Sequence, residues 1–466
     1  MQAIFDGLLY LTGWPLAVVL ILGGLYFTVR TKFVQLRLFG ESVRVVFEKP
    51  DQKGAVSSFG ALMISTASRV GTGNIIGVST AICLGGPGAV FWMWLTALIG
   101  GASAFVESTL AQIYKKRAAD GTCYGGPAFY IQSACRSRFL AVIFALALIF
   151  TYGVGYNMLA SYNLQSSFAA FDFYKNTPNV CWYFGAITAL LFFVTVIGGN
   201  KGMVRVTGTL VPVMGLIYIL FALVALAVNI ARIDDMIVMI FRDAFNFKAI
   251  FGGFFGSVLM WGLKRGLYSN EAGIGSAPNA AAAAEVSHPV KQGLVQMLSV
   301  FIDTNIICMA TALMCLVSAA PISKEAAGAP YVQEALKASF GSVGPIFIAV
   351  AMLFFAFTTV LGNFYYVENC FAYIFGRRPG KVSLLIIRIC GAVLIFFGAG
   401  MKMAMAWDVA DIAQCLLAFI NIPVCLIIGG VAYKALNDYV KQRKEGKNPV
   451  YIAADNGVKQ ETDYWK

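Results

Sequence analysis

Apolar residues along the chain run for about 18–25 positions at a time, with short polar or basic stretches between them. Tilted β-barrel strands would alternate polar and apolar over ~10 residues. Continuous runs of this length predict membrane-spanning α-helices. About eleven are expected, at 14–30, 57–83, 89–113, 139–168, 182–199, 207–230, 250–284, 291–318, 343–372, 383–400 and 409–433.

Two of these runs break the pattern. The second contains Ser65-Thr-Ala-Ser-Arg-Val-Gly-Thr-Gly-Asn-Ile-Ile-Gly77, with three glycines, four hydroxyl residues, an asparagine and an arginine. The seventh, 250–284, is too long and too polar for one straight helix. Its polar stretch, Trp261 to Gly273, includes Lys264, Arg265, Asn270 and Glu271. Unsatisfied backbone groups in hydrocarbon cost several kcal/mol each, so such stretches are tolerated only where they are enclosed by protein or line a cavity. Both runs are therefore expected to be interrupted helices. They stand five spans apart, and matched breaks in two halves point to the binding site of an inverted-repeat transporter. The predicted organisation is one transmembrane domain, 1–436, with a first repeat at 57–230 and a second at 250–433. The first span is an addition outside the repeats, and a basic cytoplasmic tail follows at 437–466.

Composition and charge sharpen this picture. Only 12% of the 466 residues are charged, against roughly 25% in soluble proteins, so the chain reads as an integral membrane protein. With the N-terminus outside, 25 of the 35 Lys and Arg fall in inner segments, 7 in outer loops and 3 within spans. That bias fixes the orientation and places the C-terminus in the cytoplasm. It also accounts for the net charge of +12 without nucleic-acid binding, because the basic residues are dispersed. The first span lacks a basic leader and is expected to be retained rather than cleaved. Ten cysteines without a CxxC pair read as small buried hydrophobes. The single His288, before Pro289 at a turn, cannot build a zinc site or a catalytic cluster. No cofactor and no enzyme activity are expected.

In the first break, Gly71 and Gly73 let the backbone leave helical geometry and approach a ligand. The new half-helix near Ile75 presents free N–H groups to an anion. The preceding half-helix ends in free carbonyls near Ala67 and Val70, which suit a small hard cation. At the second break, Lys264, Arg265 and Glu271 must face protein or water and are expected to form gate ion pairs. Arg69 is expected to pair with Glu107, Glu271 or Asp303. Thr358 and Thr359 in span nine either complete a cation site or bond back to their own helix. In span four, Gln165 and Phe168 lie one turn apart on one face.

At these residues the chain resembles the alanine or glycine:cation symporter family, the sodium:alanine symporters. The resemblance is carried by Val70-Gly71-Thr72-Gly73-Asn74-Ile75, by the stretch Leu84 to Trp94 (LGGPGAVFWMW), by Ser269 to Ala283 (SNEAGIGSAPNAAAA), and by His288 to Met297 (HPVKQGLVQM). It implies a LeuT-type five-plus-five fold with one extra N-terminal helix. It implies Na⁺-driven uptake of small neutral amino acids across a bacterial or archaeal cytoplasmic membrane. Carried over, Thr72, Gly73 and Asn74 hold the substrate carboxylate, and Gln165 and Phe168 line the pocket. Trp261 and the backbone from Gly262 to Gly266 meet the amino end and side chain. Carbonyls of Ala67 and Val70, with Thr358 and Thr359, hold sodium. The expected partners are the amino acid, Na⁺ and lipid, with no nucleic acid and no obligate protein. Glutamine as the main substrate, and proton coupling through Glu107, Asp303 or Glu368, are the alternatives. A channel would show a symmetric pore motif instead.

Overall fold

The computed structural model describes residues 2–49, 55–118, 121–246, 258–458 and 462–465. Helices dominate. Among the described residues the only strands are the short antiparallel pair Lys116–Arg117 and Cys123–Tyr124.

In chain order, the helices that position the site are α1 (Trp14–Arg30), the short amphipathic α2 (Phe39–Val46), α3 (Ser58–Arg69), α4 (Ile76–Gly85) and α5 (Ala89–Ile113). Next come α6 (Arg138–Ser166), α7 (Val180–Ile197), α8 (Gly199–Val228), α9 (Val258–Asn270), α10 (Pro278–Ala281) and α11 (Val290–Val317). The last are α12 (Val343–Ile374), α13 (Lys381–Gly398), α14 (Met403–Ile428) and α15 (Gly430–Lys444). Among the described residues, nine helices are long and apolar enough to span a membrane, and each coincides with one of the expected plain runs. The remaining two runs are the interrupted pairs α3/α4 and α9/α10.

Local chemistry sets several boundaries. Ser57 Oγ accepts the Gly60 N–H at 3.0 Å and caps α3. Ser137 Oγ does the same for Leu140 N–H at 3.2 Å and starts α6, as N-terminal hydroxyls commonly do. Wide π-helical turns interrupt α6 at Ile149–Gly155 and α11 at Phe301–Cys308. Such turns cluster at functional sites, and the second one carries Asp303.

Burial sorts the helices. In α11 and α14, 67% of the spanning window is buried, against 17% in α13. The exposed side chains of α7, α8 and α13, such as Leu190, Leu220 and Ile386, form the lipid-facing surface. The interrupted pairs lie at the centre. α5 packs against α9 and α11, and α12 packs against α3. The contact of α9 with α5 is close: a Cβ on Gly262 would come 2.5 Å from Ala89 O and 2.8 Å from Trp92 Cβ.

One expectation needs correction. The second break is not spread over Trp261 to Gly273. α9 continues unbroken to Asn270, and the interruption is Glu271–Ala277. Apolar contact with α5 along Gly262 and Gly266 keeps that stretch helical despite its charges. The boundary expected near Asn437 is spanned by α15, which runs to Lys444. Residues 250–257 of the seventh run lie outside the described residues, as do Lys53, Lys248, Lys459 and Lys466 of the charge pattern.

Candidate functional site

The first break is built by one side chain. Val70 N–H still bonds Thr66 O at 2.7 Å. One residue later the pattern fails, because Gly71 N–H donates to Asn74 Oδ1 at 2.7 Å. Ala67 O thereby loses its helical partner. A tight turn over Thr72–Asn74 follows, and α4 resumes at Ile76. The turn is pinned from three directions. Asn163 Nδ2 donates to Thr72 Oγ1 at 3.0 Å. Thr311 Oγ1 donates to Asn74 O at 2.6 Å. Asn74 Nδ2 donates to Asp303 Oδ1 at 2.7 Å and to Asp303 O at 3.2 Å.

The second break uses left-handed backbone at Glu271 (φ 55°), Gly273 (φ 87°) and Gly275 (φ 83°). Glycine adopts this region freely; Glu271 adopts it at a cost of order 1–3 kcal/mol. The exposed amides are gathered by Glu107 on α5. Its carboxylate accepts from Gly273 N at 3.3 Å, Gly275 N at 3.1 Å and Asn421 Nδ2 at 2.7 Å. An anion with several N–H donors is a satisfied buried charge.

The two breaks are tied to each other twice. Ser68 Oγ donates to Glu271 Oε1 at 2.8 Å, and Ser276 Oγ donates to Glu271 Oε2 at 2.6 Å. Separately, Asp303 accepts from Asn74 at the first break and from Ser269 Oγ at 2.7 Å beside the second. Glu107, Glu271, Asp303 and Arg69 are all buried. Arg69 does not make the expected ion pair. Among the described residues it donates to Gln296 O at 3.3 Å and Gln296 Oε1 at 3.4 Å. The three carboxylates are occupied by amides and hydroxyls, which leaves the guanidinium an amide partner.

The expected cation ligands separate. α12 crosses so near the end of α3 that a Cβ on Gly362 would come 2.5 Å from Ser68 N. Thr359 lies directly against Gly71, where a Cβ would overlap its Oγ1. Its buried hydroxyl has no hydrogen-bond partner among the described residues. A buried, unpartnered hydroxyl beside the interrupted backbone at Gly71 fits a small cation. Thr358 points elsewhere: its Oγ1 donates to Phe354 O at 2.9 Å and sits 3.8 Å from Met214 Sδ.

The expected substrate contacts also divide. Thr72, Gly73 and Asn74 are together at the centre and buried, and a Cβ on Gly73 would lie 2.7 Å from the Tyr268 ring. Gln165 accepts from the Tyr174 hydroxyl, and Phe168 stacks on Phe184 with centroids 4.4 Å apart. Gln165 lies in the last turn of α6, and Phe168 lies in the turn that follows it. Trp261 packs against Gly85, ten residues before the second break begins at Glu271. Gly262 and Gly266 face α5, inside a helix, so their carbonyls are not released as the sequence suggests.

Above the centre lies a closed layer. Arg265 forms a buried ion pair with Asp411, and its guanidinium stands 4.2 Å from the Trp407 ring centroid. Gln414 Nε2 donates to Asp411 Oδ1 at 3.0 Å, and Tyr156 OH donates to Gln414 Oε1 at 2.8 Å. Tyr268 stacks edge-on to Trp407 at 4.8 Å and sits 4.7 Å from Tyr156. Lys264 is apart, donating to Thr12 Oγ1 at 3.1 Å. Ser269, Asn163, Tyr268 and Asp411 are residues that sequence reasoning did not place in the site, and Asp303 it singled out only as a partner for Arg69 or a proton carrier. Their one signal is a polar group at mid-span.

The profile of the Sodium:alanine symporter family matches residues 2–453. The amino-acid carrier protein AlsT of Bacillus subtilis (strain 168) is 42% identical over 471 residues, covering 100% of this chain and 99% of its own. A protein of the same organism named as a probable sodium/glutamine symporter, GlnT, is 39% identical over 439 residues, covering 94% and 90%. The crystal structure of MhsT in complex with L-phenylalanine aligns with a TM-score of 0.58 at 15% identity, over 83% of this chain and 93% of that one. That likeness shows a shared fold, the LeuT type.

Proposed function

This chain belongs to the sodium:alanine symporter family, and from that premise we propose that it imports a small neutral amino acid together with Na⁺ by alternating access. Alanine, glycine and serine are the proposed cargo. The observation that carries the mechanism is the double tie between the breaks, Ser68–Glu271 and Asn74–Asp303–Ser269. A ligand that settles at one break is thereby felt at the other.

Na⁺ is cargo here. The released Ala67 carbonyl, the Val70 carbonyl and the free Thr359 hydroxyl are the proposed ligands, with Thr358 supporting the helix behind them. The substrate carboxylate meets the turn at Thr72 and Gly73. Its amino end meets the oxygen-rich second break, and Tyr268, Gln165 and Phe168 bound the side chain. Coupling follows from linkage: if Na⁺ binds the closed centre more tightly than the open one, each ligand raises the other's affinity by the same factor. The repeats are proposed at 57–230 and 250–433. The matched placement of the two breaks supports them. The bias of Lys and Arg supports an outside N-terminus and a cytoplasmic C-terminus in a prokaryotic inner membrane. A second reading, glutamine as cargo, is favoured by the similarity to GlnT.

The test is uptake of labelled alanine into proteoliposomes under an inward Na⁺ gradient, with K⁺ as control and glycine, serine and glutamine as competitors. Sodium-dependent accumulation blocked by unlabelled alanine is expected. Preferential block by glutamine would move the substrate and keep the mechanism. No sodium-dependent signal for any of the four would overturn the reading.

The Arg265–Asp411 layer is the proposed outer gate. Removing one partner of a buried pair strands the other and costs ~3–5 kcal/mol. Arg265→Ala is therefore expected to lower net uptake more than ten-fold while the protein still reaches the membrane. Arg265→Ala combined with Asp411→Ala should recover part of that loss. A double variant no better than the single one would show that the pair is not the gate.

A further inference from the structure

Residues 448–458 and 462–465 lie across one end of the bundle and touch both sides of a seam. On one side is the end of α5. Trp465 is buried and donates its Nε1–H to Gln112 O at 2.7 Å. Asp463 pairs with Lys116 at 2.8 Å. The Lys115 ammonium lies 3.7 Å from the centroid of Tyr464 and 5.1 Å from that of Trp465, and Arg117 lies 5.0 Å from Tyr464. Burial pulls the Lys115 ammonium down to about 8, so it is still charged at neutral pH and the rings stand in for lost hydration.

On the other side is the chain that leaves the second break. Tyr451 N–H donates to Ser287 O at 3.0 Å, Ser287 Oγ donates to Pro449 O at 2.7 Å, and Lys291 Nζ donates to Asn448 Oδ1 at 2.8 Å. The rings of Tyr451 and His288 stand 5.1 Å apart, and those of Tyr451 and Trp465 stand 5.5 Å apart. The seam beneath is already stitched. Gln112 Nε2 and Lys115 Nζ each donate to Ala284 O at 2.9 Å. The same Gln112 therefore receives Trp465 on its carbonyl and holds the inner half of the broken segment on its amide.

We propose that residues 448–458 and 462–465 act as a strap over the inner gate: they hold the segment Ala281–Lys291 against the end of α5, and the gate opens inward only when the strap lifts. This rests on the orientation and the sodium coupling given under the proposed function. The strap adds stability to the inward-closed states alone. A ligand-linked equilibrium moves by the free-energy difference between its states. Removing the strap therefore populates the inward-open state without cargo and raises the Na⁺ needed to close it.

Cys123 offers a native reporter. It is buried in the strand pair opposite Arg117, whose guanidinium stands 5.0 Å from the Tyr464 ring centroid. The experiment uses the full chain with Cys123 as its only cysteine, with and without Tyr464→Ala/Trp465→Ala, in proteoliposomes. Maleimide labelling from the cytoplasmic side and half-saturating Na⁺ for alanine uptake are both measured. Truncating a buried aromatic shifts a two-state equilibrium by more than about ten-fold. Labelling of the double variant without Na⁺ is expected to accelerate by at least that factor, and half-saturating Na⁺ is expected to rise several-fold. A synthetic peptide of residues 446–466 on the cytoplasmic side should restore both values, which also excludes misfolding. Unchanged labelling, or faster labelling with unchanged Na⁺ dependence, or no recovery with the peptide would overturn the strap. Absent sodium-dependent uptake in the parent chain would instead overturn the transport reading, and labelling would still report whether the segment docks.

Discussion

Replacing Thr359 by alanine is expected to raise the Na⁺ concentration for half-maximal uptake about ten-fold, the equivalent of one ligand worth ~1.4 kcal/mol. Replacing Thr358 by alanine should leave it within about two-fold. The two threonines are adjacent and chemically identical, so the contrast isolates direction. Thr358 Oγ1 is already committed to Phe354 O. A hydroxyl bonded within its own helix has little left to offer an ion. Thr359 Oγ1 is buried against Gly71 without a partner among the described residues. Such a group costs about 1–3 kcal/mol to leave unsatisfied, and Na⁺ would relieve that cost in the loaded state. Maximal uptake at saturating Na⁺ should change little. Thr359→Ser, which keeps the oxygen, should return most of the affinity. Equal Na⁺ dependence in Thr359→Ala and the parent would remove this residue from the ion site.

Asn74→Ala is expected to reduce uptake at least about 100-fold while leaving the protein in the membrane. Three groups lose a partner at once. Gly71 N–H loses its acceptor, Asp303 Oδ1 loses a 2.7 Å donor, and Asp303 O loses a weaker one. A hydrogen bond to a charged group contributes about 1.5–3 kcal/mol, and an unsatisfied buried donor costs about 1–3 kcal/mol. Together these approach the energy that keeps the turn open. Gly71 N–H is then free to return to Ala67 O and extend α3, which would withdraw a proposed ion ligand. Asn74→Asp separates the two roles, since it keeps the acceptor for Gly71 and places a second carboxylate against Asp303. It should fail as completely as alanine. Uptake within a few-fold of the parent in either variant would remove Asn74 from the mechanism.

Much of the fold is legible in the chain because hydrocarbon punishes any apolar run that is not a helix. The nine plain spans follow from continuous hydrophobicity, and the first break follows from Gly71, Gly73 and Asn74 in one turn. The second break was harder to place. Lys264 and Arg265 suggest irregular backbone, yet α9 carries them as helix because both find partners off the lipid face, Thr12 and Asp411. Composition reveals that a charge must be satisfied but not where. For the same reason the partner of Arg69 is opaque to sequence, because Glu107 and Asp303 are claimed by amides and hydroxyls from distant parts of the chain. The opposite fates of Thr358 and Thr359 depend on the rotation of α12, which a two-residue hydroxyl pair does not encode.

The route from Asn74 through Asp303 to Ser269 has a bearing on how such a protein can change over time. The three residues sit in separate elements, the first-break turn, α11 and α9, and Asp303 is within bonding distance of both others. Neighbours that share partners respond non-additively to substitution. A drift toward a new cargo therefore has few single-step routes through this triad: a bulkier residue at Ser269 or a longer acid at Asp303 would strand its partner before any benefit arrived. Novelty is more accessible at the rim, where Phe168 stacks on Phe184 and Gln165 accepts from the Tyr174 hydroxyl. A lineage of such transporters should diversify from the rim inward, with its centre changing in sets or not at all.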